Sequence, residues 1–211
     1  RTFSKTSDIR LVQTYAMEKS IKSFFGAASL CKIENAPWIR YKKNDFVNIC
    51  KANSSLLNLS RLSNFPITES SSKISFFYPA SLDPHKNHSN LFKAFNRLSS
   101  IYKDEFYLFV TISSSSSIAL GARSSQIIPM GTLSPEEVVY CYYRVNFLVF
   151  PSLSESLGLP LLEASSLGLP IIASDLDFVH EVCEPTSVFN PTSEFSILRS
   201  VVECMNRTSG I

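Results

Sequence analysis

From Ile74 onward the sequence alternates short apolar runs with amphipathic segments, and this alternation limits the possible architecture more than any other feature. Ile74 to Tyr78 and Phe106 to Ile112 read as strands, and between them Leu91, Phe92, Phe95, Leu98 and Ile101 recur at helical spacing across Ser89 to Tyr102. The serine run Ser113 to Ser117 reads as a polar loop, because apolar structure resumes at Ile127-Ile128-Pro129-Met130-Gly131. Ser134-Pro135-Glu136-Glu137 signals a helix start, with proline at the first position and acids in the first turn. A strand at Phe147, a helix opened by Gly158 and Pro160, a strand at Ile171 and a helix from about Thr192 complete the pattern. Repeated strand-helix units predict an α/β fold, a parallel sheet covered by helices on both faces.

Before this region the pattern is weaker. Ile9 to Thr14 reads as a strand and Tyr15 to Phe25 as an amphipathic helix, with Ala16, Ile21, Phe24 and Phe25 on its apolar face. Residues 29–73 carry several Ser and Asn, together with Pro37 and Pro66, and suit a connection between domains. Within them Arg40, Tyr41, Lys42 and Lys43 form a basic cluster; a solvated linker is the base-rate reading, and peripheral contact with an anionic membrane surface is the alternative. The length of 211 residues and 45% hydrophobic content suffice for one good core plus additional elements, or for two small domains. A formal charge of +2 with scattered Lys and Arg argues against nucleic acid as a partner. The five cysteines, Cys31, Cys50, Cys141, Cys183 and Cys204, show no C-x-x-C spacing and read as reduced thiols of a cytoplasmic protein. No signal peptide is evident, and no apolar run approaches the roughly 18 residues of a membrane helix.

The candidate chemistry lies in Glu155-Ser156-Leu157-Gly158-Leu159-Pro160-Leu161-Leu162-Glu163. Glu155 is expected in a loop at the carboxyl end of a strand and Glu163 in the first turn of the next helix, the region where open α/β sheets bind ligands. A carboxylate offers only acceptors, which suits the adjacent hydroxyls of a ribose or hexose. Between the two acids, the amides of Gly158 and Leu159 at the helix start suit a phosphate, and the glycine permits close approach. A bare pair of glutamates is more often one favourable helix-start acid and one solvated loop residue.

Context shifts that balance. Pro151-Ser152-Leu153-Ser154 through Glu163-Ala164, continuing to Gly168-Leu169-Pro170-Ile171-Ile172-Ala173-Ser174-Asp175, closely resembles the Glu-x7-Glu donor-site signature of retaining glycosyltransferases of family 4, which have the GT-B fold of two facing Rossmann-like domains. Phe77-Tyr78-Pro79-Ala80 followed by Pro84-His85-Lys86-Asn87-His88 resembles the first strand and loop of the same donor domain, particularly in transferases that build bacterial surface polysaccharides. The resemblance covers residues 74 to 205, and two ordered matches are more specific than either alone. It implies a Rossmann-like doubly wound sheet in residues 74–211 as the sugar-nucleotide-binding domain. Residues 29–73 would then be an interdomain connection, and residues 1–28 a remnant of the amino-terminal, acceptor-binding domain, most of which would precede this sequence.

The resemblance further implies transfer of a sugar, mannose or rhamnose among the options, from a nucleotide-diphosphate donor to a glycan or lipid-linked oligosaccharide. The reaction would run with retention of configuration, at the inner face of the membrane or in the cytoplasm, with no cofactor and no metal. By the same resemblance Glu163 holds the ribose hydroxyls and Glu155 the transferred sugar. Lys86, Gly158 and Leu159 hold the phosphates, while Gly131 and Thr132 pass near the base. Lys86 and Glu155 are the residues assigned to catalysis. Many members carry an arginine five residues before this lysine; here Ser81 occupies that donor-site position, which transfers phosphate stabilisation to His85, His88 or helix dipoles.

Other readings stay open. Asp175-Leu176-Asp177 spells the Asp-x-Asp of metal-dependent transferases of another fold, but Asp177 as a helix cap is the simpler reading. His85 and His88 have no acid or cysteine spaced to join them as metal ligands, and His180-Glu181 lacks the second histidine of a zinc protease helix. Paired carboxylates also cleave glycosides, though that chemistry needs them on opposite sides of the scissile bond. A nucleotide-binding module without transfer activity and a sugar-nucleotide epimerase are the remaining alternatives.

Overall fold

The computed structural model describes residues 10–12, 30–32 and 73–209. Two short strands, β1 (Arg10–Val12) and β2 (Leu30–Lys32), pair in parallel with Arg10 opposite Leu30. The first agrees with the strand expected at Ile9 to Thr14; the second falls in the stretch read as a connection. The helix expected over Tyr15 to Phe25 and the basic cluster at 40–43 lie outside the described residues.

The remaining strands form one six-stranded parallel sheet: β3 (Ile74–Tyr78), β4 (Phe106–Val110), β5 (Ile127–Pro129), β6 (Phe147–Phe150), β7 (Ile171–Ser174) and β8 (Ser187–Phe189). Their spatial order is β5-β4-β3-β6-β7-β8. Successive connections step one way from β3 to β5 and the other way from β6 to β8. Because parallel crossovers are right-handed, the helices of the two halves cover opposite faces, giving a doubly wound Rossmann-like sheet. The order reverses between β3 and β6, where Phe76 lies opposite Phe147.

The helices are α1 (His88–Ile101), α2 (Ser114–Ala119), α3 (Pro135–Arg144), α4 (Leu159–Leu167), α5 (Asp177–His180) and α6 (Glu194–Ser209), with a 3-10 turn at Pro84–Lys86. Every residue of β3, β6 and β7 is buried, which explains why these strands read as continuous apolar runs rather than alternating ones. Aromatic rings fill the core: Phe76 stacks on Phe147 at 5.5 Å and meets the edge of Phe95 at 5.3 Å. The one polar residue inside β3, Ser75, is satisfied because its N–H and hydroxyl both donate to Asn146 Oδ1 at 2.8 Å. Helix α6 closes back over α1, where Arg97 pairs with Glu194 at 2.7 Å and lies over the Phe195 ring.

Helix α3 begins where the proline and the first-turn acids place its start, and it is closed by a capping box. The Ser134 hydroxyl accepts the Glu137 N–H at 3.2 Å, and the Glu137 carboxylate accepts the Ser134 N–H at 2.7 Å. Three local expectations are corrected. The serine run is not a loop but α2: Ser113 caps it by accepting the Ser116 N–H, and Ser117 is buried, so capping and packing outweigh serine's modest helix preference. Asp177 is the first residue of α5 rather than its cap, which is Leu176 in an extended conformation. The strand β8 follows α5 where no element was expected; three residues of an edge strand are too few for a periodic signal.

Candidate functional site

Two loops leave the sheet at the reversal of strand order, 79–87 after β3 and 151–158 after β6. Their backbones are tied to one another. Tyr78, wholly buried at the end of β3, donates its hydroxyl to the Lys86 carbonyl at 2.8 Å and lies 3.0 Å from the Ser152 hydroxyl. Burial pushes the Tyr78 phenol far above its ordinary pKa, so it remains a neutral donor. The Leu153 N–H donates to the His85 carbonyl at 2.8 Å. Asn87 sits in the left-handed region at φ 58°, and its amide Nδ2 donates to the carbonyls of Pro151 at 3.0 Å and Pro191 at 2.8 Å. One carboxamide therefore joins the loops after β3, β6 and β8.

On this base the Lys86 ammonium reaches the Glu155 carboxylate, Nζ to Oε1 2.7 Å, across 69 positions of sequence. The side chains retain only 16% and 9% of their exposure, so water screens the pair far less than it would on an open surface. Three residues beyond Glu155, Gly158 takes φ +72° and caps α4. A Cβ there would lie 3.0 Å from Leu161 Cδ1. The Gly158 and Leu159 amides stand at the start of α4, where N–H groups have no acceptor within the helix and carry the positive end of its dipole.

Glu163 is the fifth residue of α4 and so opens its second turn rather than lying in the first, as expected, because the helix begins at Leu159. Its Oε2 accepts the Tyr142 hydroxyl of α3 at 2.9 Å. Burial raises the Glu163 pKa, with the Tyr142 bond partly opposing. The Tyr142 phenol is also driven well above its ordinary value, by burial first and by the Glu163 charge second. The hydrogen therefore stays on the phenol.

The other anticipated residues are more dispersed. Gly131, at φ +72°, follows β5 and donates its N–H to the Ile112 carbonyl at 3.0 Å; Thr132 beside it is exposed. Ser81 is exposed and donates its hydroxyl to Asp83, a bond that holds the Asp83 carboxyl below its usual range. His88 is 3% exposed, at the start of α1, with its ring 5.1 Å from Tyr78 and 5.9 Å from Phe92. Burial, helped by the Lys86 charge, pushes its pKa down to about 4, so it is a neutral core residue at neutral pH. Asp175 meets His180 at 2.9 Å on the surface. Among the described residues no three His, Cys, Asp or Glu cluster as metal ligands, and no helix is long and apolar enough to cross a membrane. Cys141, Cys183 and Cys204 are free thiols.

Lys86 and Glu155 are thus brought into direct contact, while Glu163 is held on α4 by a different partner. The roles of Tyr142, Ser152 and Asn87 were missed by sequence reasoning. Asn87 lay within a quoted motif, and an asparagine before a helix invites a left-handed cap. Nothing local in the sequence points Tyr142 toward Glu163.

Parts of the chain are similar to known proteins. O-antigen chain mannosyltransferase B of Escherichia coli is 37% identical over 62 residues, 29% of this chain and 16% of that protein. O-antigen chain mannosyltransferase RfbU of Salmonella typhimurium is 35% identical over 65 residues, 30% of this chain and 18% of that protein. The matches therefore span under a fifth of these relatives' own length. Among solved structures, sucrose-phosphate synthase from Thermosynechococcus elongatus superposes with a TM-score of 0.66 at 16% identity, covering 95% of this chain and 50% of that one. Anabaena Alr3699/HepE, solved in complex with UDP and glucose, gives a TM-score of 0.68 at 14% identity, covering 98% and 59%. These structures share the fold, of GT-B type. Residues 61–197 match the family described as glycosyl transferases group 1. That match takes in the whole sheet, Lys86, Glu155, Gly158 and Glu163, and the chain belongs to the glycosyl transferases group 1 family.

Proposed function

We propose that the chain carries the donor half of a retaining, family 4 glycosyltransferase that moves a hexose from a nucleotide-diphosphate sugar to a glycan or lipid-linked acceptor. The names of the relatives favour mannose as that hexose. The observation that carries the reading is the Lys86–Glu155 contact at the reversal of strand order: a cation for phosphate and an acceptor for sugar hydroxyls, side by side at the carboxyl edge of a parallel sheet.

In this reading the diphosphate lies between Lys86 and the amides of Gly158 and Leu159, and Glu155 accepts from the sugar hydroxyls. Glu163 accepts the ribose diol, and the loop at Gly131 and Thr132 passes the base. As the bond from the anomeric carbon to the phosphate oxygen breaks, charge grows on the departing diphosphate, and the Lys86 ammonium and the start of α4 stabilise it there. The acceptor hydroxyl attacks from the same face and loses its proton to the departing phosphate oxygen, so no protein base is required. Positive potential from Lys86 and α4 takes the place that a metal holds in other transferases, and a chelator is expected to leave turnover unchanged.

Calorimetric titration with GDP-mannose, UDP-glucose and dTDP-rhamnose tests the assignment. Glu163→Ala is expected to weaken binding of the preferred donor at least about tenfold, since a charged hydrogen bond contributes roughly 1.5–3 kcal/mol, and to lower stability by about 1–3 kcal/mol because the buried Tyr142 hydroxyl loses its acceptor, a loss that Glu163→Gln avoids. Unchanged donor affinity would remove the assignment. A binding module without turnover is the second reading. Release of nucleoside diphosphate by the full-length protein only when acceptor is present would exclude it.

A further inference from the structure

Resting on that reading, we propose that Glu155 makes the site discriminate between a sugar-bearing diphosphate and the free nucleoside diphosphate, binding the first and expelling the second. Lys86 is the cation assigned to the phosphates, yet its ammonium already lies 2.7 Å from a carboxylate. The pair is neutral together, so its net attraction for a further anion is small, and an anion drawn to Lys86 must sit a few ångströms from Glu155. Both side chains are largely buried, which keeps that repulsion from being screened away.

Hydrogen bonds restrain both loops close to the pair. The backbone of Lys86 is held by the Tyr78 hydroxyl, and the segment leading to Glu155 is held through Ser152 and through the Leu153 N–H on the His85 carbonyl. Side-chain rotation is then the least costly way to separate the two charges. What decides whether rotation is favourable is the group on the terminal phosphate.

With a sugar attached, that phosphate has one ester bond and one anhydride bond and carries a single charge, and the sugar hydroxyls supply donors for the acceptor sites Glu155 uncovers on releasing Lys86. With the sugar gone, the terminal phosphate keeps only its anhydride bond to the next phosphate and carries a charge of about −1.5 to −2 near neutral pH, as a phosphoryl group with two free acidic oxygens does, and no hydroxyl remains for the carboxylate. Glu155 then either faces a more highly charged neighbour or reclaims Lys86. Either course disfavours the spent nucleotide, so one residue would couple loss of the sugar to release of the product.

The opposite signs expected for two ligands make the test sharp. Calorimetry on the full chain compares GDP, UDP and dTDP with their hexose esters, for the unaltered protein, Glu155→Gln and Glu163→Ala. Glu155→Gln is expected to bind the free diphosphate about tenfold more tightly and the hexose ester more weakly. Free diphosphate bound no more tightly by Glu155→Gln, while Glu163→Ala weakens both ligands, overturns this inference and leaves the donor-site reading standing. Both ligands unaffected by Glu163→Ala overturns the donor-site reading and this inference with it. A measurement on the unaltered chain covers failure of the variant to fold. The β-methyl ester of the preferred nucleoside diphosphate caps the extra charge without supplying hydroxyls, and is expected to bind more tightly than the free diphosphate; equal or weaker binding overturns the inference.

Discussion

Glu163 must be ionised to accept a pair of hydroxyls, yet its burial opposes ionisation and raises its pKa. Donor affinity is therefore expected to fall on acidification at a pH above the ordinary glutamate range, and titrations across that range should show the step vanish in Glu163→Gln. The sign for stability is the reverse. A carboxyl whose folded pKa is raised binds protons more readily in the native state, so stability declines as pH rises through that window, and Glu163→Gln is not expected to lower the melting temperature at neutral pH. His88 acts in the other direction. Its pKa falls from 6.5 to about 4 on burial, so the unfolded chain binds the extra proton first, and stability is lost as pH drops through that interval. The loss amounts to about 3 kcal/mol, and urea midpoints between pH 7 and pH 4 should show it flattened in His88→Phe. At this scale the placement of Lys86 and Glu155 in loops after strands was legible because each lies beside a local strand signal, whereas their assigned roles came from the family resemblance. Tyr142 was not legible, because its reach to Glu163 depends on how α3 packs on α4.

Helix α4 shows what one backbone position decides. Gly158 holds φ +72° and a Cβ there would press on Leu161 Cδ1 at 3.0 Å, so glycine suits the turn by which the chain passes from β6 into α4 with its first amides at the edge of the site. Gly158→Ala is expected to cost about 1–2 kcal/mol from the left-handed conformation alone, read from denaturant midpoints. The added methyl also crowds Leu161, so donor binding should weaken as well. The start of α3 was readable in advance from Pro135 at the first helical position and the acids Glu136 and Glu137 in the first turn, signals that act within a few residues, and the structure adds the capping box. The serine run forming α2 was not, because Ser113 favours a cap and a loop equally until the packing around Ser117 is known.

Across the whole molecule, Asn87 joins three loops that are far apart in sequence, its amide bonded to Pro151 and Pro191 at separations of 64 and 104 residues. Asn87→Ala removes two buried hydrogen bonds and places alanine at φ 58°, an expected loss of about 2–4 kcal/mol by chemical denaturation. Asn87→Gly keeps the backbone freedom and loses only the bonds, and should recover about 1 kcal/mol. By itself the sequence determined the alternation of elements and the burial of the central strands, because periodicity and helix-start signals act within a few residues. Only the tertiary structure decided that Lys86 meets Glu155, that Glu163 faces Tyr142 and that Asn87 binds the loops together. Those pairings follow from strand order, which is selected by how whole elements bury their apolar faces against one another and not by any local stretch of chain.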